Sequence, residues 1–234
     1  MRQIVLDTET TGLQIEGGHR IIEIGCVELI DRKFTGKRYH QYINPERRID
    51  EEALAVHGIA NDFLQDKPPF AKIAREFMNF ITGAELIIHN APFDVGFINY
   101  ELNLTQQTWK LLTDYCRIID TLVIARQLHV GQRNSLDALC KRYSVDNSRR
   151  DLHGALLDAY LLAHVYLTMT GGQSSLFEEL QSPEPVQQKS IDVKNAIMQS
   201  RKLTIVFADA EEMMAHEAKL QAMSEKGVCL WRED

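Results

Sequence analysis

Residues 4–12 read Ile4-Val5-Leu6-Asp7-Thr8-Glu9-Thr10-Thr11-Gly12, an apolar run that leads into two acids separated by one residue. Because alternate side chains of a β-strand share a face, Asp7 and Glu9 are expected to point the same way. Neighbouring carboxylates repel unless something neutralises them, and hard cations such as Mg²⁺ and Mn²⁺ prefer carboxylate oxygen. Taken alone, these residues predict a metal site or, equally well, a solvated polar end of a strand.

Length and composition set limits on the class of protein. A chain of 234 residues with 44% hydrophobic residues has room for one large domain, or for one domain with an appendage. The net charge of −7 argues against a protein that holds nucleic acid tightly through its own surface. It leaves open an enzyme that binds the end of a short nucleic-acid strand through metal ions, while a partner protein supplies the affinity.

The cysteines and the first residues bear on where the protein works. The four cysteines (Cys26, Cys116, Cys140 and Cys229) form no Cys-x-x-Cys pair, which argues against a disulfide framework and a zinc ribbon. The first residues lead straight into a strand without a signal peptide, and no apolar run is long enough to span a bilayer. We therefore expect a cytoplasmic protein.

Strand and helix patterns alternate along the first part of the chain. The expected strands are Gln3–Leu6, Ile21–Ile30, Tyr39–Ile43, Glu85–His89 and Cys116–Ile119. The expected helices are Pro69–Ile81, Pro92–Leu102, Thr121–Leu128, Ser135–Tyr143 and Gly154–Met169. Three early strands with short connections predict an antiparallel meander, and later strands separated by helices predict parallel crossovers. The expected fold class is α/β, with a mixed five-stranded sheet flanked by helices.

The character of the sequence changes beyond residue 172. Residues 173–190 contain two prolines and many Gln, Ser and Glu, a composition typical of a linker. Further on, Leu203–Phe207 is apolar, and Asp209 with Glu212 predicts a capping box for a helix that Gly227 would end. A tail of about 45 residues is near the lower limit for independent folding. We expect it to dock on another protein; a small self-folding domain, or packing on the main body, is the alternative.

Two further acids lie in predicted helices. Asp94 falls in a first turn, where the helix dipole alone would explain it, but that turn follows the strand Leu86-Ile87-Ile88. Ligands of open α/β sheets bind at the carboxyl ends of strands. Asp158 shares a helix face with the aliphatic residues three, four and seven positions later, the face expected to pack on the sheet. A carboxylate there should be paired or bound to a metal, because burying a lone charge is costly.

His153 precedes Asp158 by five residues and is expected in the loop that enters the helix. Near a metal cluster a histidine can act as a general base on water; an exposed loop histidine is the simple alternative. Asp120 follows a strand and precedes a helix, so an N-cap explains it fully. Asp137 and Asp146 are likewise interpreted as cap or turn residues, and these three acids are placed outside the site.

Together these motifs resemble those of the DEDDh family of 3′–5′ exonucleases. Their order is Asp7-x-Glu9 on the first strand, Asp94 after an Asn-x-x-Phe turn, and His153-Gly154-Ala155-Leu156-Leu157-Asp158 at the last helix of the domain. The chain also resembles the proofreading members of this family that serve bacterial replicative polymerases, in Val56-His57-Gly58-Ile59, Asn134–Leu139, Met169–Gln173 and the last residues. The family fold is a ribonuclease-H-like mixed sheet, which agrees with the element order above.

The resemblance implies a role for each matched position. The four metal-binding carboxylates would be Asp7, Glu9, Asp94 and Asp158, with His153 as the general base. Contacts to the terminal nucleotide would come from Glu52 and His57, together with Asp7, Glu9 and Asp158. The same substrate pocket would be lined by Thr10, Leu13, Asn90 and Phe93.

The implied mechanism is hydrolysis with two divalent cations, Mg²⁺ or Mn²⁺, about 4 Å apart on the scissile phosphate. One ion would activate a water that His153 deprotonates, and the other would stabilise the leaving 3′ oxygen, so that a nucleoside 5′-monophosphate is released. A site that accepts frayed single strands would favour mispaired ends, because a mismatch lowers the cost of unpairing. The implied function is removal of mispaired nucleotides from the 3′ end of a DNA primer during replication.

The resemblance also implies a division of the chain and a set of partners. Residues 1–172 would form the exonuclease domain. The linker begins with Gln173-Ser174-Ser175-Leu176-Phe177, which is similar to the Gln-x-x-Leu-Phe peptides that dock into sliding clamps. Residues 191–234 would bind the polymerase (alpha) subunit and keep the exonuclease at a high effective concentration near the primer end. A small accessory (theta-like) subunit is a further partner that the sequence leaves open.

Two other functions compete with this one. A DEDDh nuclease that trims RNA 3′ ends would keep the same catalytic residues, but such enzymes often work as free dimers and lack a clamp peptide and a polymerase-binding tail. A non-catalytic adaptor between clamp and polymerase would have no need of the four acids and His153, all of which are present.

Overall fold

The computed structural model describes residues 1–105, 107–148, 152–171 and 208–225. The chain divides into two compact units, Met1–Ser182 and Pro183–Asp234. The predicted linker, the clamp peptide with Gln173, Leu176 and Phe177, and the apolar run Leu203–Phe207 lie outside the described residues. The domain bounds predicted from the sequence therefore stay predictions.

The first unit is built on a mixed five-stranded sheet. The strands are β1 (Arg2–Thr10), β2 (Ile21–Ile30), β3 (Lys33–Tyr42), β4 (Glu85–Ile88) and β5 (Arg117–Asp120). They lie in the order β3-β2-β1-β4-β5; neighbours among β1, β2 and β3 are antiparallel, β4 is parallel to β1, and β5 is parallel to β4. The predicted meander and parallel crossovers are confirmed.

Two strand bounds differ by more than one residue from those predicted. β1 continues to Thr10 instead of ending at Leu6, so Asp7 and Glu9 are strand residues. β3 begins at Lys33 instead of Tyr39. It is an edge strand whose first six residues are exposed, so they lack the alternation of apolar and polar side chains that identifies a half-buried strand.

Helices of the first unit cover both sides of this sheet. They are α1 (Glu51–His57), α2 (Asn61–Leu64), α3 (Phe70–Ile81), α4 (Ala91–Leu104), α5 (Thr121–Leu128), α6 (Leu136–Arg142) and α7 (Ala155–Thr170). Short 3₁₀ turns lie at Ile15–Gly17 and Leu112–Asp114. The sequence does not predict α1 and α2, because seven and four residues are too few to show an apolar helical period.

Strand β1 faces two separate cores. Ile4 and Leu6 pack in the core that includes α3 and α4, whereas Val5 packs in the core that includes α6 and α7. Side chains alternate along a strand. Asp7 and Glu9 therefore continue the face of Val5, on the side of α7, and the residue between them continues the opposite face, on the side of α4.

The second unit contributes one described helix, α8 (Ala210–Ser224). The predicted capping box is present: the Asp209 carboxylate accepts bonds from the N–H groups of Glu211 and Glu212 at 2.9 and 2.8 Å, and the Glu212 carboxylate accepts one from Asp209 N–H at 3.1 Å. The helix ends at Ser224, and Gly227 lies outside the described residues. No residue of α8 is buried.

The two remaining expectations concern the cysteines and membrane-spanning segments. Cys26, Cys116 and Cys140 are buried, and Cys229 lies outside the described residues. Within the described ranges, no helix has the length and apolar character needed to cross a membrane.

Candidate active site

A cavity of about 810 Å³, here called the first cavity, opens where β1 and β4 end. All five residues predicted for catalysis line it: Asp7, Glu9, Asp94, His153 and Asp158. β1 supplies two of the acids, α4 the third and α7 the fourth, while the histidine lies in the loop before α7. The location agrees with the rule that open α/β sheets bind ligands at the carboxyl ends of their strands.

Asp158 is a carboxylate in a buried position on an apolar helix face. It lies in the first turn of α7 with 2% of its surface exposed. Leu161, Leu162 and Val165 are buried as well, as the sequence predicts for this helix face. A carboxylate at such a position is stable only when a charge or a set of donors compensates it.

Glu9, His153 and Asp158 form a compact cluster. One ligand atom from each lies within 4.8 Å of the others, which is close enough for one cation to contact all three. His153 Nδ1 lies 3.4 Å from Asp158 Oδ2, and the histidine side chain is 42% exposed. Its backbone N–H donates to the carbonyl of Val56 at 3.1 Å, which fixes the loop against α1.

The start of α7 lies directly on β2. Gly25, which pairs with Asp7 across the sheet, has no side chain, and a Cβ there would lie 2.2–2.4 Å from backbone atoms of Ala155 and Leu156. Only glycine permits this approach without displacing the helix. The close packing is what brings Asp158 to the carboxylates of β1.

A buried acid of β2 holds the same helix end. Glu23, 2% exposed, accepts a hydrogen bond from the N–H of Ala155 at 3.2 Å. Its other oxygen lies 2.7 Å from His40 Nε2. The N–H groups of a first helical turn have no partner within the helix, so Glu23 satisfies one of them and anchors the turn that carries Asp158.

Asp94 approaches the first cavity from α4 and is 3% exposed. The hydroxyl of Thr8, on the α4 side of β1, donates to Asp94 Oδ1 at 2.7 Å. Burial raises the pKa of Asp94 to about 7, although the hydrogen bond from Thr8 lowers it. A nearby cation would favour the ionised form of such a carboxylate. Carboxylates gathered around one cavity are the hard oxygen ligands of Mg²⁺ and Mn²⁺, so the residues present fit a divalent metal site.

Asp120 positions α4, although the sequence explains it as a cap alone. It does cap α5, where it accepts a bond from the N–H of Leu122 at 2.8 Å. Its two oxygens also accept bonds from the N–H groups of Asn90 and Ala91, each at 3.2 Å. Asn90 has a φ of 65°, in the left-handed region that asparagine tolerates. Asp120 thus fixes the entry to the helix turn that carries Asp94.

A second cavity, of about 480 Å³, adjoins the first. The two share Thr8, Glu9 and Phe93 as lining residues. Of the predicted nucleotide contacts, those that line the second cavity are Glu9, Thr10, Leu13, Glu52, His57 and Phe93. Asn90 lines the first cavity only. The predicted substrate contacts therefore lie along two joined cavities, with Glu9 at their junction.

His57 is a buried histidine on the wall of the second cavity. Its Nδ1 accepts a bond from the N–H of Ile59 at 3.0 Å, and its Nε2 has no hydrogen-bond partner. Burial lowers the pKa of His57, nearby His153 adds to this effect, and Glu23 and the Thr10 backbone oppose it. An orphaned buried nitrogen beside a cavity is suited to a polar group of a ligand.

Sequence reasoning overlooks three residues that hold these groups in place: Thr8, Glu23 and Gly25. A signal existed for two of them. Strand alternation places Thr8 opposite the two acids, and Glu23 is a charge inside the apolar run of β2. Gly25 has no such signal, because its role depends on how closely α7 approaches.

Comparison with known proteins identifies the family. Residues 4–166 match the family model described as Exonuclease. The chain is 52% identical over 236 residues to DNA polymerase III subunit epsilon of Escherichia coli (strain K12), which covers 99% of this chain and 97% of the relative. It is 51% identical over 236 residues to the same subunit of Salmonella typhimurium, with the same coverage. The chain belongs to the DNA polymerase III epsilon-subunit family of exonucleases.

Solved structures agree with the epsilon-family assignment. Exonuclease X in complex with 5′ overhanging duplex DNA is 26% identical, with a TM-score of 0.55 over 77% of this chain and 99% of that one. Escherichia coli exonuclease I in complex with a dT13 oligonucleotide is 17% identical, with a TM-score of 0.61 over 77% of this chain and 43% of that one, and shows the shared fold alone. The predicted ribonuclease-H-like fold and 3′–5′ proofreading exonuclease are confirmed. Exonucleases of this kind use divalent metal ions.

Proposed function

We propose that the first cavity is where this protein removes the terminal, preferentially mispaired, nucleotide from the 3′ end of a DNA primer during replication. Asp7, Glu9, Asp94 and Asp158 hold two divalent cations, Mg²⁺ or Mn²⁺, and His153 is the general base. The observation that carries the proposal is the cluster of Glu9, His153 and Asp158 within 4.8 Å, in one cavity with the buried Asp94. When bound, the cations neutralise the scissile phosphate and make a water more acidic.

His153 accepts the proton of the attacking water in this proposal. Its side chain is 42% exposed, so the proton can pass on to solvent. The carboxylate of Asp158, 3.4 Å from Nδ1, orients the ring. Thr8 and Asp120 keep Asp94 in position through their hydrogen bonds to its carboxylate and to the start of α4.

The second cavity receives the terminal nucleotide. A volume of about 480 Å³ is within the usual range for ligand pockets. Glu52, Thr10 and the unpaired Nε2 of His57 supply polar contacts, and Leu13 and Phe93 supply apolar surface. The scissile phosphate then lies at Glu9, where the two cavities join, and the product is a nucleoside 5′-monophosphate.

The catalytic assignment is tested with the full chain, Mg²⁺ or Mn²⁺, and a 5′-labelled single-stranded DNA. We expect stepwise shortening from the 3′ end, and loss of this activity in Asp7→Ala or in excess EDTA, with circular dichroism showing that the variant is folded. Asp146→Ala is a matched control, because Asp146 caps a turn at the N–H of Ser148 and lines neither cavity. Equal activity in Asp7→Ala, or in EDTA, would refute the mechanism.

The same assay separates DNA from RNA as the substrate. We expect faster shortening of DNA than of an RNA of the same sequence, and faster removal of a mispaired than of a paired 3′ nucleotide. A clear preference for RNA would favour the RNA-trimming alternative over proofreading.

Association with other replication proteins completes the proposal. Residues 191–234 bind the polymerase (alpha) subunit, and Gln173, Leu176 and Phe177 bind the sliding clamp, in the bacterial cytoplasm. The relatives are named as subunits of DNA polymerase III, which supports the first contact. Helix α8 supports it too: it exposes three methionines, a residue type suited to adaptable binding surfaces (Met213, Met214 and Met223).

Pull-down and gel-filtration experiments test these contacts. The full chain and a chain ended after Gly172 are each mixed with the polymerase subunit; we expect only the full chain to bind. A Leu176→Ala, Phe177→Ala double variant should lose the clamp and keep the polymerase. Equal binding of both chain lengths would show that the tail is not the tether. Adding a small accessory subunit to the Gly172-ended chain tests whether that partner binds the exonuclease domain.

A further inference from the structure

We propose that one face of α5 binds the DNA strand upstream of the scissile phosphate, with the guanidinium of Arg126 on a phosphate that is not cleaved in that cycle. This face consists of Leu122, Arg126 and His129. The inference rests on the proposed function, because it needs the terminal nucleotide in the second cavity. It gives a role in substrate binding to the part of the first cavity that catalysis does not use.

The arrangement of the cavities sets the path of the strand. The first cavity and the second meet at Thr8, Glu9 and Phe93. With the terminal nucleotide in the second cavity and its phosphate at the junction, the rest of the strand continues into the first cavity. That cavity, at about 810 Å³ against about 480 Å³, is the larger of the two. It has space for substrate beyond the reacting phosphate.

One part of the wall of the first cavity is one side of a helix. Leu122, Arg126 and His129 are spaced by four and three residues, so they follow one another along the same face of α5 and its end. All three line the first cavity. From the first to the last, the face extends about 10 Å at 1.5 Å per residue. It offers an apolar contact, a cation and a ring in succession.

Arg126 has the chemistry of a phosphate contact. Among the described residues that line the first cavity it is the one arginine or lysine, against five carboxylates (Asp7, Glu9, Asp94, Asp137 and Asp158). Its side chain is exposed, and no hydrogen bond or ion pair ties it to another described residue. A strand entering so acidic a cavity needs a cation for its own phosphates, and a guanidinium forms paired bonds with phosphate oxygens.

The segment that follows α5 is held by side-chain hydrogen bonds, as a binding wall needs to be. The buried amide of Asn134 donates to the carbonyls of His129 and Gln132 at 3.3 and 3.1 Å. Arg142 donates to the Asn134 amide oxygen at 3.1 Å and to the carbonyl of Arg133 at 2.9 Å. These bonds hold the backbone of residues 129–134 in one shape.

His129 contributes a ring and not a charge. Its Nε2 lies 2.7 Å from the hydroxyl of Tyr143, which sets the plane of the imidazole. Burial, with the nearby Arg142, lowers the pKa of His129, which favours the neutral ring. A neutral ring held in this way is suited to stacking on a base, which does not depend on sequence.

The experiment compares two substrates on the full chain with Mg²⁺. One is a single-stranded oligonucleotide, and the other is the p-nitrophenyl ester of thymidine 5′-monophosphate, which has nothing upstream of its phosphate. We expect Arg126→Ala to lower kcat/KM for the oligonucleotide about tenfold more than for the ester. The slope of log(kcat/KM) against log[salt] should fall by about one, the signature of one lost phosphate contact. Arg126→Lys should keep most of that slope.

Arg75→Ala is the matched control, because Arg75 is exposed on α3 and lines neither cavity. If Arg75→Ala loses as much activity as Arg126→Ala, the effect comes from net charge. If Arg126→Ala loses equally on both substrates, Arg126 acts on the folding of the site or on the chemical step. Either result, or no loss at all, overturns the inference while wild-type cleavage still supports the proposed function. If the wild type cleaves neither substrate, the proposed function fails and the inference falls with it.

Discussion

Gly25 in β2 and Ala155 at the start of α7 lie so close that a Cβ on the glycine would come 2.3 Å from the carbonyl carbon of Ala155. The neighbouring atoms are backbone, which cannot move aside as the end of a side chain can. Because Gly25 pairs with Asp7, this contact sets the distance between the acid of α7 and the acids of β1. A glycine without any catalytic group thus controls the spacing of the site.

Gly25→Ala is therefore expected to lower kcat for 3′-end cleavage at least about tenfold, because displacing α7 moves Asp158 and His153 from their productive positions. Overpacking should also lower the free energy of unfolding by about 1–3 kcal/mol. Single-turnover cleavage and urea unfolding measure the two effects. Gly154→Ala is the control, since a Cβ there meets nothing within 4 Å and its φ of −156° is extended backbone. Full activity in Gly25→Ala would show that the spacing is not critical.

The hydroxyl of Thr8 is expected to matter through Asp94. Thr8→Val keeps the shape and removes the 2.7 Å bond to the Asp94 carboxylate. We expect kcat or the affinity for Mg²⁺ to fall by about 10–100-fold, the usual effect of removing a group that orients a metal ligand. A Mg²⁺ titration of the cleavage rate measures it. Thr8→Ser keeps the donor and should retain most of the activity; an equal loss in both variants would assign the effect to packing.

The sheet and three of the five predicted catalytic positions follow from periodicity in the sequence. Alternation along a strand places Asp7 and Glu9 on one face, and helical spacing places Asp158 on a face that should be apolar. Both conclusions need only local geometry. The structure bears them out, with Asp158 2% exposed among buried aliphatic side chains.

Contacts between distant elements could not be predicted in this way. Asp120 has a complete local explanation as a helix cap, and only the fold shows that it also holds Asn90 and Ala91. Helix α1, which carries Glu52 and His57, is too short to show an apolar period and was not predicted. The resemblance to a family supplied those two residues; the physical pattern did not.

Asp120 offers a test of such a contact between distant elements. Asp120→Ala removes the cap of α5, which costs about 1–2 kcal/mol, and leaves the N–H groups of Asn90 and Ala91 without an acceptor. We expect a larger loss of unfolding free energy than a cap alone explains, and slower cleavage because the turn carrying Asp94 is loosened. Asp120→Asn keeps one acceptor oxygen and should lie between wild type and alanine. If urea unfolding shows only the loss expected for a helix cap, Asp120 stabilises α5 and not the start of α4.

His57 gives a prediction about pH. Burial holds its pKa below the ordinary value of about 6.5 that it has in the unfolded chain. Between the folded and unfolded pKa values the unfolded chain binds more protons, so stability rises with pH there. The contribution of neutral His57 is therefore complete above about pH 6.5 and is lost as the pH falls through the lower, folded value. In urea unfolding of the full chain in EDTA between pH 7.5 and 5, His57→Gln should show a flatter pH dependence than wild type, whatever its stability at pH 7.5. Parallel profiles for the two proteins would show that His57 does not titrate differently in the folded chain.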